Sequence, residues 1–166
     1  MSDTADKPSV LFVCMGNICR SPTGEAVMKH LLKRRGLEHE IDVDSAGTID
    51  YHSGNPADPR MCRAASARGY ELTSRARQVS RDDLHHFDLI VAMDADNLAD
   101  LGLLGLDGRA EVRLLGSFLD GYDPDAVADV PDPYHGGPAG FETVIDMIES
   151  ACENILDHLL ARKPPR

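Results

Sequence analysis

A cysteine and an arginine separated by five residues, Cys14 and Arg20, form the pair with the clearest chemical potential in this sequence. Gly16 and Asn17 lie between them and tolerate positive φ, which favours a tight loop. A loop that leads into a helix N-terminus directs backbone N–H groups at one point and binds anions there. In that position Cys14 is favoured as a thiolate nucleophile, and the planar fork of Arg20 can hold two oxygens of a phosphoryl group.

The flanking sequence supports an order of strand, loop and helix. The apolar run 10–13 predicts a strand that is buried on both faces. After the loop, Ser21 and Pro22 suit the N-cap and the first position of a helix. The alternative is an ordinary buried cysteine and a surface arginine, because a bare pair at this spacing recurs by chance. The loop and helix signals together favour the catalytic interpretation.

The segment VCMGNICRSP at residues 13–22 resembles the phosphate-binding loop of the low-molecular-weight protein tyrosine phosphatases. The segment DPY at 132–134 resembles a second motif of that family, and the similarity extends to SAG at 45–47, DPR at 58–60 and MD at 93–94. The resemblance implies hydrolysis of phosphotyrosine or other aryl phosphate monoesters through a phosphocysteine intermediate, with no cofactor. It implies tyrosine-phosphorylated proteins as partners, and a partner tyrosine kinase is a further expectation.

The loop residues have distinct expected roles. Cys14 would attack phosphorus, and Arg20 would stabilise the transition state together with the loop N–H groups. The resemblance implies that Ser21 donates a hydrogen bond to the sulfur and that Ser45 supports the loop by bonding to Asn17. The expected N–H donors belong to Met15, Gly16, Asn17, Ile18, Cys19 and Arg20.

Cys19 is a second thiol in the same loop. Peroxide oxidises an accessible thiolate first, and a nearby thiol can trap the resulting sulfenic acid as a disulfide. A bridge needs Cα atoms within about 4.4–6.8 Å, which a loop curled around a phosphate can satisfy. We therefore predict that Cys19 is the redox partner of Cys14. The alternative is that Cys19 only packs beneath the loop.

The leaving oxygen needs a proton, and the Gly-, Pro- and Asp-rich segment 116–140 offers the acids. Spacing alone leaves five candidates open: Asp120, Asp123, Asp125, Asp129 and Asp132. The family resemblance selects Asp132. Prolines on both sides of this residue restrict its backbone, which suits a positioned acid.

Tyr51 and Tyr134 are the expected walls of the substrate pocket, although ordinary packing would also explain aromatic side chains there. Two positions depart from the family, which often has a tryptophan in place of Tyr51 and a second tyrosine in place of His135. A regulatory tyrosine phosphorylation would therefore have to use Tyr134.

Alternating strand and helix patterns over the rest of the chain are typical of a parallel α/β sheet. Further strands are predicted at 40–44, 88–93 and 111–115, and further helices at 58–68, 94–103 and 141–162. With the family resemblance, the expected fold has three layers, a four-stranded parallel sheet in the order 2-1-3-4 and helices on both faces. We expect a disordered N-terminal tail at 1–8, one phosphatase domain at 9–162 and a C-terminal tail at 163–166.

Composition limits the classes of function. A net charge of −11 over 166 residues argues against nucleic acid or an anionic membrane as a partner. The polar N-terminus has no apolar signal core and no later segment is predicted to span a membrane, so we expect a cytoplasmic protein. The four cysteines are then thiols rather than a disulfide framework, and they lack the paired ligand set of a zinc site, so no metal is expected.

Two other functions compete with hydrolysis. A thiol-linked arsenate reductase shares the fold and the loop but needs further cysteines to carry electrons away from the first. The sequence has no cysteine between 63 and 151, and we expect Cys62 and Cys152 to be buried. A non-catalytic phosphotyrosine-binding module needs neither Cys14 nor an acid, so the presence of both argues against it.

Overall fold

A four-stranded parallel sheet lies at the centre of the computed structural model, which describes residues 7–105, 107–134 and 136–162. Its strands are β1 (Ser9–Cys14), β2 (Asp42–Gly47), β3 (Leu89–Ala92) and β4 (Glu111–Leu114). They lie in the order β2-β1-β3-β4, and every neighbouring pair is parallel. This confirms the predicted fold class and strand order. Every residue of β1 is buried, as expected for an apolar run in the middle of such a sheet.

Helices cover both faces of the sheet. They are α1 (Arg20–Arg34), α2 (Pro59–Ser66), α3 (Arg81–His86), α4 (Ala95–Leu103) and α5 (Pro138–Arg162), with a 3₁₀ turn (Leu115–Phe118) after β4. Val10 and Phe12 pack into the core that contains residues of α1, α2 and α5, whereas Leu11 and Val13 pack into the core that contains residues of α3 and α4. Successive side chains of a strand point to opposite faces, so β1 contributes to both cores and the predicted three layers are confirmed.

Three of the differences from the predicted element boundaries concern segments that build the site. β2 continues to Gly47, because residues 45–47 pair in register with residues 12–14 of β1. α1 begins at Arg20 with Cys19 as its N-cap, so the prediction of Ser21 as the N-cap is wrong. The hydroxyl of Ser21 is instead within hydrogen-bond distance of the Cys14 sulfur. α5 begins at Pro138, upstream of the predicted start, and proline is well tolerated in the first turn of a helix.

The carboxyl edge of the sheet gathers the segments that build the site. Cys14 ends β1 and Gly47 ends β2, while Asp94 follows β3. The N–H of Thr48 donates to the carbonyl oxygen of Cys14 at 2.9 Å, which joins the two strand ends. A Cβ on Gly47 would lie 2.6 Å from the carbonyl oxygen of Met15, so glycine is needed for this close approach.

The predicted tails lie mostly outside the described residues, which exclude 1–6 and 163–166. The predicted N-terminal tail includes residues 7 and 8, and these contact β2. The carbonyl oxygen of Pro8 accepts from the N–H of Asp42 at 3.0 Å, and Lys7 Nζ lies 4.0 Å from Asp42 Oδ1. Across the described ranges, no helix combines the length and the apolar character needed to cross a bilayer.

Candidate active site

A cleft of about 180 Å³ opens where the loop after β1 passes into α1. The segment after β2 and the loop before α5 complete its walls. The lining residues are Cys14, Met15, Gly16, Ile18, Cys19, Arg20, Ile49, His52, Asp132 and Tyr134. The fold therefore brings the predicted nucleophile, arginine and acid together, although the acid lies near the other end of the sequence.

Cys14 lines this cleft with only 2 % of its surface exposed. Its Sγ lies 2.9 Å from Ser21 Oγ, and the N–H of Ser21 donates to Sγ at 3.4 Å. Ser21 Oγ also accepts from Asn17 Nδ2 at 2.8 Å and lies 3.3 Å from the carbonyl oxygen of Ala46. The hydroxyl has a single proton, and a thiolate at 2.9 Å is the nearer and more strongly charged acceptor. The geometry therefore fits the expected donation from Ser21 to sulfur.

Asn17 holds the loop in its tight conformation. Its φ is 57°, and it is the one non-glycine residue at positive φ within the described ranges. Its Nδ2 donates to Ser21, and its Oδ1 accepts from the N–H of Arg77 at 3.0 Å. The expectation that Ser45 bonds to Asn17 is wrong. Ser45 Oγ donates to Glu25 Oε1 at 2.6 Å, because its side chain meets α1 and the amide of Asn17 is bonded elsewhere.

Two acceptors hold the guanidinium of Arg20, a residue that is 2 % exposed. Nη1 donates to Asp94 Oδ2 at 2.6 Å and to the carbonyl oxygen of Val130 at 3.0 Å. Burial acts to lower the pKa of Arg20, but the negative charge of Cys14 and the hydrogen bond with Asp94 raise it above its ordinary value. Arg20 is therefore a fixed cation. Its Nη2 and Nε make no hydrogen bond with any described residue and remain available for a ligand.

Asp94 is a functional residue whose role the sequence analysis does not identify. Its Oδ1 caps α4 by accepting from the N–H of Asn97 at 2.8 Å, and its Oδ2 accepts from Arg20. An acidic residue at the start of a predicted helix indicates a cap. That signal carries no information about the second contact, which joins residues 74 positions apart.

The candidate acid Asp132 lies across the cleft beside Arg20. Its Oδ1 accepts from the N–H of Tyr134 at 3.0 Å, a turn contact that fixes the side chain. Its Oδ2 lies 3.6 Å from Arg20 Nη2. The side chain is 44 % exposed, so it can exchange a proton with water. Oδ1 is therefore engaged by the backbone, whereas Oδ2 faces Arg20.

None of the other four candidate aspartates lines the cleft. Asp129 is the nearest to Asp132 in the sequence, and its Oδ1 accepts from the N–H of Ala95 at the start of α4. Asp120 and Asp123 also accept hydrogen bonds from the chain itself. These positions favour Asp132, which agrees with the choice that the family resemblance makes.

The aromatic walls differ from the prediction. Tyr134 lines the cleft, but Tyr51 does not; its ring is 82 % exposed and packs edge-on against His52 at 4.8 Å between centroids. His52 takes the wall position because its ring lies against the loop, where a Cβ on Gly16 would be 3.0 Å from His52 Cδ2. In the sequence, only the position of His52 next to Tyr51 could have indicated that it lines the cleft. The departure at His135 lies outside the described residues.

The other cysteines differ in their surroundings. Cys19 lines the cleft but is 5 % exposed, and burial raises the pKa of its thiol. Cys152 is 1 % exposed in the core, as predicted. The predicted burial of Cys62 is wrong, because this residue is half-buried near the surface of α2.

Comparison with known proteins identifies the family of this chain. The family model of low molecular weight phosphotyrosine protein phosphatase matches residues 9–164. A low molecular weight protein-tyrosine-phosphatase of Streptomyces coelicolor is 46% identical over 153 residues, which cover 89% of this chain and 90% of the relative. The human low molecular weight phosphotyrosine protein phosphatase is 39% identical over 160 residues, which cover 95% of this chain and 98% of the relative. A crystal structure of a protein tyrosine phosphatase from Entamoeba histolytica has a TM-score of 0.86 and 41% identity, and the match covers 95% of this chain and all of that one (100%). The chain belongs to the low molecular weight phosphotyrosine protein phosphatase family.

Proposed function

We propose that this protein hydrolyses phosphotyrosine and other aryl phosphate monoesters through a phosphocysteine on Cys14. The observation that carries the proposal is the convergence of three groups in one cleft: a buried thiol with hydrogen-bond donors, a fixed arginine and an aspartate. Membership of a family of phosphotyrosine protein phosphatases supports the same reaction.

In the first step the Cys14 thiolate attacks phosphorus, and the bond between phosphorus and the tyrosine oxygen breaks. Asp132, protonated on Oδ2, gives its proton to that oxygen, so the leaving group departs as a neutral phenol. The loop N–H groups, with Nη2 and Nε of Arg20, stabilise the charge on the three equatorial oxygens. The products are free tyrosine hydroxyl and phosphocysteine.

In the second step water attacks the phosphocysteine. The Asp132 carboxylate takes a proton from that water, the bond between sulfur and phosphorus breaks, and inorganic phosphate leaves. Cys14 departs as a thiolate, whose charge the hydroxyl and the N–H of Ser21 stabilise at 2.9 and 3.4 Å. The same two donors therefore assist attack in the first step and departure in the second.

Tyrosine-phosphorylated proteins fit this cleft because the sulfur is buried. A phosphate must reach Cys14 on a long side chain, and the rings of His52 and Tyr134 line the cleft that a tyrosyl ring would enter. A tyrosine kinase acting on the same proteins, or on Tyr134 itself, is the corresponding partner.

A reducing compartment such as the cytoplasm suits the reaction, because Cys14 must remain a thiol.

Arsenate reduction is the competing reaction at the same loop, and it needs thiols that relay electrons. Among the other cysteines only Cys19 shares the cleft, and Cys152 is enclosed in the core. We therefore favour hydrolysis.

We infer that Cys19 protects the nucleophile against oxidation. Peroxide converts the Cys14 thiolate into a sulfenic acid; Cys19 sulfur then attacks it, a disulfide forms and water leaves. Both thiols line one cleft, which supports their encounter. Because burial raises the pKa of Cys19, its reactive thiolate is scarce at neutral pH and becomes more abundant as the pH rises.

Replacement of the nucleophile tests the proposed function. Cys14→Ser should lower the hydrolysis of p-nitrophenyl phosphate by at least about 10³-fold, because a hydroxyl is not ionised near pH 7. Calorimetry should show that this variant still binds inorganic phosphate, since the N–H groups and Arg20 remain.

Arg20→Lys should lose about 10²–10³-fold in kcat, because a point charge does not replace the planar fork. Substantial turnover by Cys14→Ser, or arsenate reduction faster than hydrolysis in the wild type, would refute the proposal.

Replacement of the acid should have an effect that depends on the leaving group. Asp132→Asn should slow phenyl phosphate hydrolysis by about 10²–10⁴-fold, and p-nitrophenyl phosphate less, because the nitrophenolate needs little protonation. Asp129→Asn is the matched control, since its amide oxygen can still accept from the N–H of Ala95. If only Asp129→Asn shows this dependence on the leaving group, the acid has been assigned to the wrong residue.

Recovery from peroxide tests the role of Cys19. Wild type and Cys19→Ser should both lose activity, but a dithiol should restore most of the wild type and little of the variant. Mass spectrometry should find a Cys14–Cys19 disulfide, formed faster at pH 8 than at pH 6 because the Cys19 thiolate, scarce while burial raises the pKa of Cys19, becomes more abundant as the pH rises. Cys62→Ser, which changes a thiol outside the cleft, should behave like the wild type. Equal recovery without a disulfide would leave Cys19 as a packing residue.

A further inference from the structure

A second groove, of about 440 Å³, lies between α2 and the start of α5. It is next to the active-site cleft, and the side chains of Tyr134 and Arg60 separate the two. Tyr134 lines the cleft, while Arg60 lines the groove, and the Arg60 guanidinium lies 5.3 Å from the centroid of the Tyr134 ring. A polypeptide whose phosphotyrosine occupies the cleft can therefore leave over Tyr134 directly into the groove.

Hydrogen bonds and ring contacts hold Arg60 in the dividing wall. Arg60 donates to Asp58 from Nε at 3.1 Å and from Nη2 at 2.9 Å, so its charge is already paired. Its guanidinium also lies 5.0 Å from the centroid of the Phe141 ring, which places it between two aromatic rings. The groove therefore has a fixed edge on the side of the active site.

The groove combines an apolar lining with one available cation. Ala64, Ala67 and Pro138 contribute apolar surface beside the ring of Phe141. Arg63 on α2 is exposed and has no ion pair with any residue in the described ranges. The groove's acidic residue, Glu142, is already paired with Arg68 at 2.7 Å.

We propose that this groove is a second substrate subsite, which receives a residue close to the phosphotyrosine, and that Arg63 selects an acidic side chain there. The inference rests on the proposed function and specifies the substrate class further. An acidic residue near the phosphotyrosine would otherwise be repelled by a protein of net charge −11. Arg63 provides a local cation beside the path of the polypeptide, where it can pair with that residue.

The preference should be modest and measurable. An exposed ion pair contributes about 0.2–1 kcal/mol, which corresponds to a change of up to about fivefold in kcat/KM. Two sets of phosphotyrosine peptides test it, with a single Asp or a single Asn at each position within four residues of the phosphotyrosine. The wild type should prefer Asp over Asn by about two- to fivefold at one or more of these positions.

Arg63→Gln should abolish that preference, because it removes the unpaired cation. Arg81→Gln is the matched control: it removes the same charge from an exposed residue of α3. The helix α3 packs on the face of the sheet opposite to α2 and α5, so the sheet separates Arg81 from the groove and Arg81→Gln should keep the preference. An unchanged preference in Arg63→Gln, or an equal loss in Arg81→Gln, overturns the proposal.

A second variant tests occupancy of the groove without altering charge. Ala67 is exposed and takes a helical conformation at the end of α2, so Ala67→Leu fits the fold while filling the groove. It should lower kcat/KM for the peptides relative to p-nitrophenyl phosphate, which is too small to reach the groove. An unchanged ratio of the two overturns the subsite. Failure of the wild type to hydrolyse p-nitrophenyl phosphate would instead overturn the proposed function.

Discussion

The hydrogen bonds of the buried Arg20 guanidinium are the interaction on which the rest of the site depends. A buried charge is costly unless it is paired, and Asp94 pairs with Arg20 at 2.6 Å. The same Nη1 donates to the carbonyl oxygen of Val130, whose own N–H donates to the carbonyl oxygen of Met93. The start of α1, the end of β3 and the loop that carries Asp132 are therefore held together by a single cation.

The nitrogen atoms of the Arg20 guanidinium therefore differ in their contacts. Nη1 donates to Asp94 and to the carbonyl oxygen of Val130, while Nη2 and Nε make no hydrogen bond with the described residues and, in the proposed reaction, bind oxygens of the phosphoryl group. Against the effect of burial, the negative charge of Cys14 and the hydrogen bond with Asp94 raise the pKa of Arg20, so the guanidinium stays charged beside Cys14. Preorganised donors of this kind need no rearrangement during the reaction, which is why they stabilise a transition state well.

Local patterns account for the part of the structure that the sequence predicts. The buried strand and the Gly-Asn break arise from neighbouring residues, and the strand order followed from the family resemblance. Long-range contacts account for the failures. Asn17 meets the backbone of Arg77, 60 residues away, rather than Ser45. The N-cap of α1 is Cys19 rather than Ser21, whose hydroxyl lies beside the sulfur. His52 lines the cleft in place of Tyr51 because neighbouring side chains of a turn point in different directions, which residue spacing does not encode.

The central claim is that Cys14 carries the phosphoryl group during turnover. Mixing the wild type with excess p-nitrophenyl phosphate, followed by a denaturing quench before the steady state, tests it most directly. Mass spectrometry of the digested protein should locate one phosphate on the peptide that contains Cys14, at a level that rises with the burst of released nitrophenol. Hydrolysis without any phosphorylated enzyme, or with the phosphate on another residue, would contradict the account.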